Sequence, residues 1–131
     1  MDTLPAKPLF HQDAWPDAED IGEPFHRFQA LKGTDFPAAV KCFEAFNSAI
    51  TRRIQWEEEQ VFPEFLSRVG GGLANTCATL RKEHREIGQL LAAIAAKLDR
   101  ADSATEAEEA ALHNLLAAHN HQEHRVVFPA L

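Results

Sequence analysis

The sequence has few cysteines and no long apolar run, and each shortage excludes a class of protein. Its 131 residues include two cysteines, Cys42 and Cys77, too few for a disulfide-stapled scaffold and consistent with a reducing compartment. No apolar stretch approaches the roughly 20 residues that cross a bilayer. The opening MDTLPAKPLFHQD lacks a basic region followed by an apolar segment, so we expect no secretory signal and a cytoplasmic location.

Basic residues are also scarce. Lys and Arg total 13 against 20 Asp and Glu, a formal net charge of −7, which argues against nucleic acid and anionic membranes as partners. The chain contains no phosphate-binding glycine loop, no dinucleotide glycine pattern and no Ser-His-Asp arrangement. We therefore predict no catalytic residue and do not expect an enzyme. The oligomeric state is not indicated by the sequence.

The remaining pattern is helical. Pro5, Pro8 and Pro16 predict an irregular N-terminal arm over residues 1–16, followed by one domain over 17–131. Apolar residues then recur every three or four positions, with no period-two alternation typical of strands. We predict an all-α fold, an antiparallel up-down four-helix bundle with an irregular N-terminal arm. The predicted helices cover about 17–32, 36–68, 73–99 and 104–128.

Individual residues refine the helix ends. Pro24 predicts a kink or a late start in the first helix. Thr34 or Asp35 is suited to begin the second helix, with Pro37 in its first turn. Gly88, in the middle of the third helix, is expected to allow close packing.

Five polar residues interrupt the apolar stripes, namely Arg53, Glu57, His84, His119 and Glu123. The stripes are Phe43, Phe46, Ile50, Arg53, Glu57, Val61; Leu80, His84, Ile87, Leu91, Ile94, Leu98; and Leu112, Leu116, His119, Glu123, Val127. Residues four apart on a helix share a face, so these polar side chains all point toward the core.

A buried carboxylate costs several kcal/mol, on the order of 2–5, unless it is paired or binds a metal. A single core histidine is usually inert, and a charged pair four residues apart is usually a solvated salt bridge. The coincidence of such residues on three helices instead favours a metal site in the bundle core. Imidazole and carboxylate ligands without thiolate suit iron, manganese or zinc.

Three segments resemble the hemerythrin-like (HHE cation-binding) domain family. RIQWEEEQVFPEF (53–65) and HNHQEHRVVFPAL (119–131) are similar to the family's repeated step from His through Glu to an apolar-aromatic-Pro sequence, and KEHREI (82–87) is similar to its third-helix His motif. The resemblance implies a four-helix bundle with a non-haem di-iron site that binds or senses O₂, nitric oxide or iron. It also implies Glu57 and Glu123 as bridging ligands and His84 and His119 as terminal ligands.

Two positions depart from the family pattern. Arg53 stands where the second-helix His is expected, and Ala18 stands where the first-helix His is expected. In the family, these two histidines bind the same iron. We infer from the sequence that Arg53 replaces the charge of that ion and holds Glu57 and Glu123, because a guanidinium is always charged and grips carboxylates with two parallel bonds.

The expected cofactor is therefore iron, as one or two ions, with zinc or manganese as alternatives. Three functions stay open. The first is a binding or sensing domain with a mononuclear or reduced di-iron site and a small diatomic ligand. The second is a metal-free bundle that acts as a structural or protein-interaction module. The third is a small oxidase or peroxidase that uses the remaining iron.

Overall fold

The computed structural model describes residues 17–131, with side chains from residue 22 onward. This part of the chain is helical and contains no strand, so the predicted all-α class is confirmed. The predicted arm over residues 1–16 lies outside the described residues. The α-helices are α1 (Asp17–Leu31), α2 (Phe36–Trp56), α3 (Phe62–Val69), α4 (Ala74–Asp99) and α5 (Glu106–Gln122).

The chain divides into two compact units, Met1–Arg53 and Ile54–Leu131. In the described part of the first unit, aromatic side chains of α1 pack against those of α2. The rings of Phe25 and Phe46 lie 4.7 Å apart between centroids, and those of Phe28 and Phe43 lie 5.3 Å apart. The order of these pairs makes α1 and the first part of α2 an antiparallel hairpin.

The ends of α1 and α2 follow partly from their prolines and caps. The N–H of Ala38 donates to Asp35 Oδ1 at 3.2 Å, so Asp35 caps α2 as predicted. The late start expected at Pro24 is wrong, because α1 begins at Asp17 and runs through this proline. Burial of Phe25 and Phe28 on the same helix offsets the roughly 3 kcal/mol that an interior proline costs.

In the second unit, α4 and α5 form another antiparallel hairpin. Lys97 Nζ lies 2.9 Å from Glu108 Oε2 near the connecting loop, and Glu83 contacts His119 toward the other end. The same lysine donates to the carbonyl of Ala104, which ties the loop to α4. All six residues of the predicted α4 stripe are buried, namely Leu80, His84, Ile87, Leu91, Ile94 and Leu98.

The predicted packing role of Gly88 is wrong. This glycine is exposed on α4, and among the described residues no atom lies within 4 Å of a Cβ atom added to it. The apolar face of α4 is complete without it. On α5, Leu112 is buried as predicted, whereas Leu116 is half-buried.

Two π-helical turns interrupt the helices of the second unit. The first wide turn is Glu57–Val61, between α2 and α3, and the second wide turn is Glu123–Val127, after α5. A short 3₁₀ turn, Phe128–Ala130, follows the second one and packs against α3. The helix predicted over 36–68 therefore exists as a continuous helical path, but it is wider at one turn.

Cys42 and Cys77 are both free thiols. In the part of the chain that the structure describes, none of the helices combines the length and the apolar character that a bilayer crossing requires.

Candidate metal centre

Four of the five predicted polar residues meet at one point in the second unit. Glu57 begins the first wide turn, His84 lies in the middle of α4, His119 lies in the last turn of α5, and Glu123 begins the second wide turn. Each offers one ligand atom, and these atoms all lie within 4.8 Å of one another. Both glutamates are 0% exposed, so the cluster is sealed from bulk water.

The two histidines point the same ring nitrogen inward. His84 Nε2 and His119 Nε2 lie 3.2 Å apart, and they lie 2.8 and 3.3 Å from Glu57 Oε1. Glu123 Oε2 is 3.0 Å from His119 Nε2. Two nitrogen ligands of one ion, each about 2.1 Å from it, lie about 3.0–3.4 Å apart at octahedral or tetrahedral angles. The separation of the imidazoles and the mixed nitrogen and oxygen donors therefore fit a divalent cation.

Without a metal, two groups of the cluster, His119 and Glu123, have raised pKa values and keep their protons at neutral pH. Burial raises the pKa of Glu57, but hydrogen bonds from Glu123 and the two histidines outweigh it and hold this pKa well below its usual range. Burial lowers the pKa of His119, but hydrogen bonds to Glu123 and Glu57 raise it to about 11. Burial, followed by the charge of Glu57, raises the pKa of Glu123 to about 8. At neutral pH, Glu57 is a carboxylate, His119 is an imidazolium and Glu123 keeps its proton.

Each histidine also contacts a second carboxylate through its outer nitrogen. His84 Nδ1 lies 2.6 Å from Glu58 Oε2, and His119 Nδ1 lies 2.8 Å from Glu83 Oε1. A carboxylate only accepts hydrogen bonds, so with a metal bound each Nδ1 would keep its hydrogen for this contact and Nε2 would be the nitrogen that binds the ion. Such outer partners fix the orientation of metal-binding histidines.

Glu58 and Glu83 were missed by the sequence patterns because both lie outside the apolar stripes. Their side chains are 39% and 21% exposed, and they reach the site only because glutamate is long. Glu58 directly follows Glu57, and Glu83 directly precedes His84. This adjacency to a cluster residue is the one signal in the sequence that could have identified them. Phe62 also contacts the site: its ring stacks on that of His84, with the ring centroids 5.4 Å apart and the ring planes at 10°.

The other predicted residues have different surroundings. Arg53 is buried and is the last residue of the first unit; its predicted hold on the two glutamates stays a prediction. The side chain of Ala18 lies outside the described residues. The four described histidines beyond the cluster are all exposed, namely His26, His113, His121 and His124.

An all-helical domain with two imidazoles and two carboxylates converging in its interior defines a class, the helical cation-binding domains. The family model described as "Hemerythrin HHE cation binding domain" matches residues 16–131. The chain therefore belongs to the hemerythrin HHE cation-binding domain family. No curated protein and no solved structure matches this chain.

Proposed function

We propose that this protein is a hemerythrin-like domain that binds one non-haem metal ion, iron in the first place, and uses it to bind or sense O₂, nitric oxide or iron. The residues that would hold the ion are His84, His119, Glu57 and Glu123. Iron in such a site would supply open coordination positions for a small diatomic ligand. The proposal includes the antiparallel four-helix bundle predicted from the sequence, which the family membership supports.

One observation carries this proposal. Four buried donor groups from three stretches of helix have ligand atoms within 4.8 Å of one another. Burying two carboxylates at 0% exposure is costly without a cation or a proton nearby. Two imidazoles with a carboxylate form the ligand set of many non-haem iron sites, and the same set also serves zinc.

The number of ions follows from the departures in the sequence. The cluster offers donors for one ion, whereas Arg53 and Ala18 stand where the family pattern has the histidines of a second ion. Arg53 is 9% exposed, and a buried guanidinium keeps its positive charge. We include in the proposal that this charge replaces that of the second ion.

A metal-free structural module is the second candidate, and a specific observation favours it. Members of the cluster pair with one another, since His84 Nε2 lies 2.8 Å from Glu57 Oε1 and His119 Nε2 lies 3.0 Å from Glu123 Oε2. The imidazolium of His119 also balances the carboxylate of Glu57. A bundle with such a network could act through protein contacts alone.

Metal analysis of protein purified without a His-tag distinguishes the two candidates. We expect about one equivalent of metal in the wild-type protein and close to none in His84→Ala or His119→Ala. His121→Ala is the matched control, because His121 lies on the same helix as His119 and is exposed. Stoichiometry near zero in the wild-type protein, together with a melting temperature that chelator leaves unchanged, would establish the metal-free module instead.

A further inference from the structure

The two wide turns share a sequence that the metal ligands alone do not explain. Glu57 to Pro63 reads EEEQVFP, and Glu123 to Pro129 reads EHRVVFP. Both segments begin with a glutamate of the cluster, end with Val-Phe-Pro and adopt the same π-helical turn over their first five residues. The two segments lie on different helices. They nevertheless share a similar sequence, the same backbone conformation and a buried glutamate at the first position of the turn.

The hydrogen bonds define the turns. The N–H of Phe62 donates to the carbonyl of Glu57, and the N–H of Phe128 donates to the carbonyl of Glu123. Each bond spans five residues, whereas an α-helix uses four. The glutamate is therefore the residue whose carbonyl accepts the bond that closes the wide turn, so the turn sets its backbone position directly.

The proline gives a physical reason for the wide turn. A proline inside a helix lacks an N–H, and its ring clashes with the carbonyl four residues earlier. For Pro63 that residue is Glu59, and for Pro129 it is Arg125, which are the middle residues of the two wide turns. Widening the turn moves that carbonyl away from the ring and lets the helix continue past the proline.

The side chains around each proline show the consequence. Val61 and Phe62 are both 0% exposed, and Val127 and Phe128 are 0% and 2% exposed. Adjacent residues on an α-helix point about 100° apart, so a face of normal width seldom buries two neighbours this completely. The extra residue in the wide turn lets the glutamate and the apolar pair after it all face the interior.

We infer that Pro63 and Pro129 are positioning residues, whose rings hold the wide turns that aim the carboxylates of Glu57 and Glu123 at His84 and His119. This inference rests on the proposed metal site for its functional meaning, but its structural part concerns the protein alone. An α-helical turn in place of a wide turn would shift the register by one residue. The carboxylate or the buried pair would then rotate away from the interior.

The test uses Pro63→Ala, Pro129→Ala and the double variant, with two measurements. Iron and zinc titrations should show about tenfold weaker binding in each single variant and a larger loss in the double variant. The melting temperature of the metal-free protein should change little, because the helix propensity gained with alanine offsets the burial lost by the apolar pair. Pro37→Ala is the control, since this proline lies in the first turn of α2, where its missing N–H costs little.

The second measurement needs no metal. Scalar coupling across the hydrogen bond between the Phe62 nitrogen and the Glu57 carbonyl carbon, measured by NMR, reports the wide turn. It should be present in the wild-type protein and lost in Pro63→Ala, and Phe128 with Glu123 should behave likewise in Pro129→Ala. Couplings that persist in the variants, or affinity that falls while they persist, would overturn the inference. If the wild-type protein takes up no metal, the proposed function fails, and the couplings still decide whether the prolines hold the turns.

Discussion

Glu83 precedes His84 in α4, yet its carboxylate contacts the other histidine of the cluster, with Oε1 2.8 Å from His119 Nδ1. Glu58 follows Glu57 and contacts His84 Nδ1 in the same manner at 2.6 Å. In both cases a glutamate next to one cluster residue in the sequence orients a different cluster residue: Glu83, next to His84, orients His119, and Glu58, next to Glu57, orients His84. Both contacts leave Nε2 as the nitrogen directed at the common point.

Glu58→Gln and Glu83→Gln should therefore each weaken metal binding by about 10- to 100-fold. An amide accepts a weaker hydrogen bond than a carboxylate, so the imidazole becomes less basic and its orientation less fixed. Competition titrations with a chelator of known affinity measure the loss. Nitrogen-15 chemical shifts of Nδ1 in the two imidazole rings should change, because each Nδ1 loses its carboxylate partner.

Two glutamates that do not contact the cluster histidines serve as matched controls for those variants. Glu59 is next to Glu58 and accepts a hydrogen bond from Gln55, and Glu86 lies on α4 and pairs with Lys82. Glu59→Gln and Glu86→Gln should leave metal affinity and the ring shifts unchanged. Equal losses in the controls and in the two test variants would show that charge near the site matters and that the Nδ1 contacts do not.

The protons held by His119 and Glu123 predict that the free energy of unfolding and the metal affinity change with pH in opposite directions. The pKa values of His119, about 11, and of Glu123, about 8, both lie above their ordinary values. Between pH 4.5 and 8 the folded metal-free protein therefore holds more protons than the unfolded chain. Its free energy of unfolding should therefore fall as pH rises through this range. Glu57 behaves in the opposite way: its pKa is lowered in the folded protein, so its contribution to stability is lost only as pH falls through that lowered pKa.

Metal binding must release those protons, so affinity should increase as pH rises from 6 to 8, by up to about tenfold per pH unit for each proton displaced. The groups around His119 that set this slope are Glu57, Glu83, Glu123 and His84. Calorimetry in buffers of different ionisation enthalpy measures the proton count directly. His113→Gln, a change at an exposed histidine of the same helix, should leave the slope intact. An affinity that is flat over this pH range would contradict the proton assignment.

The sequence was sufficient to predict the all-α class and the burial of the cluster. Apolar residues at intervals of three and four define a buried face, so a polar residue in that series must be buried too. Glu57, His84, His119 and Glu123 were found this way, and all four are buried.

The features that the sequence did not reveal depend on side-chain reach and on local backbone geometry. Glu58 contacts His84 from outside the buried face, which no periodicity can indicate. The wide turns were missed because a helical pattern of three and four tolerates one extra residue. In hindsight, a proline six residues after a buried glutamate, occurring twice, was the available signal.

Arg53 provides a prediction about stability. Its side chain is buried although it carries a charge, whereas its neighbour Arg52 is exposed. Removing a buried guanidinium leaves its partner groups uncompensated, so Arg53→Ala should lower the free energy of unfolding by about 3 kcal/mol. Arg52→Ala should change it by less than about 0.5 kcal/mol. Urea denaturation of the metal-free protein measures the change in the free energy of unfolding for each variant. Equal changes in the two variants would show that the charge of Arg53 is not paired with buried groups.

Two glycines should respond in opposite ways to the same substitution. Gly88 is exposed in the middle of α4 with open space around it, so Gly88→Ala should stabilise the protein by about 0.5–1 kcal/mol through helix propensity. Gly70, which ends α3, has open space as well, but its φ of 76° lies in the left-handed region. Gly70→Ala should therefore destabilise by about 1–3 kcal/mol. Melting temperatures of the two variants test the pair, and a loss of stability in Gly88→Ala would contradict the open space at this position.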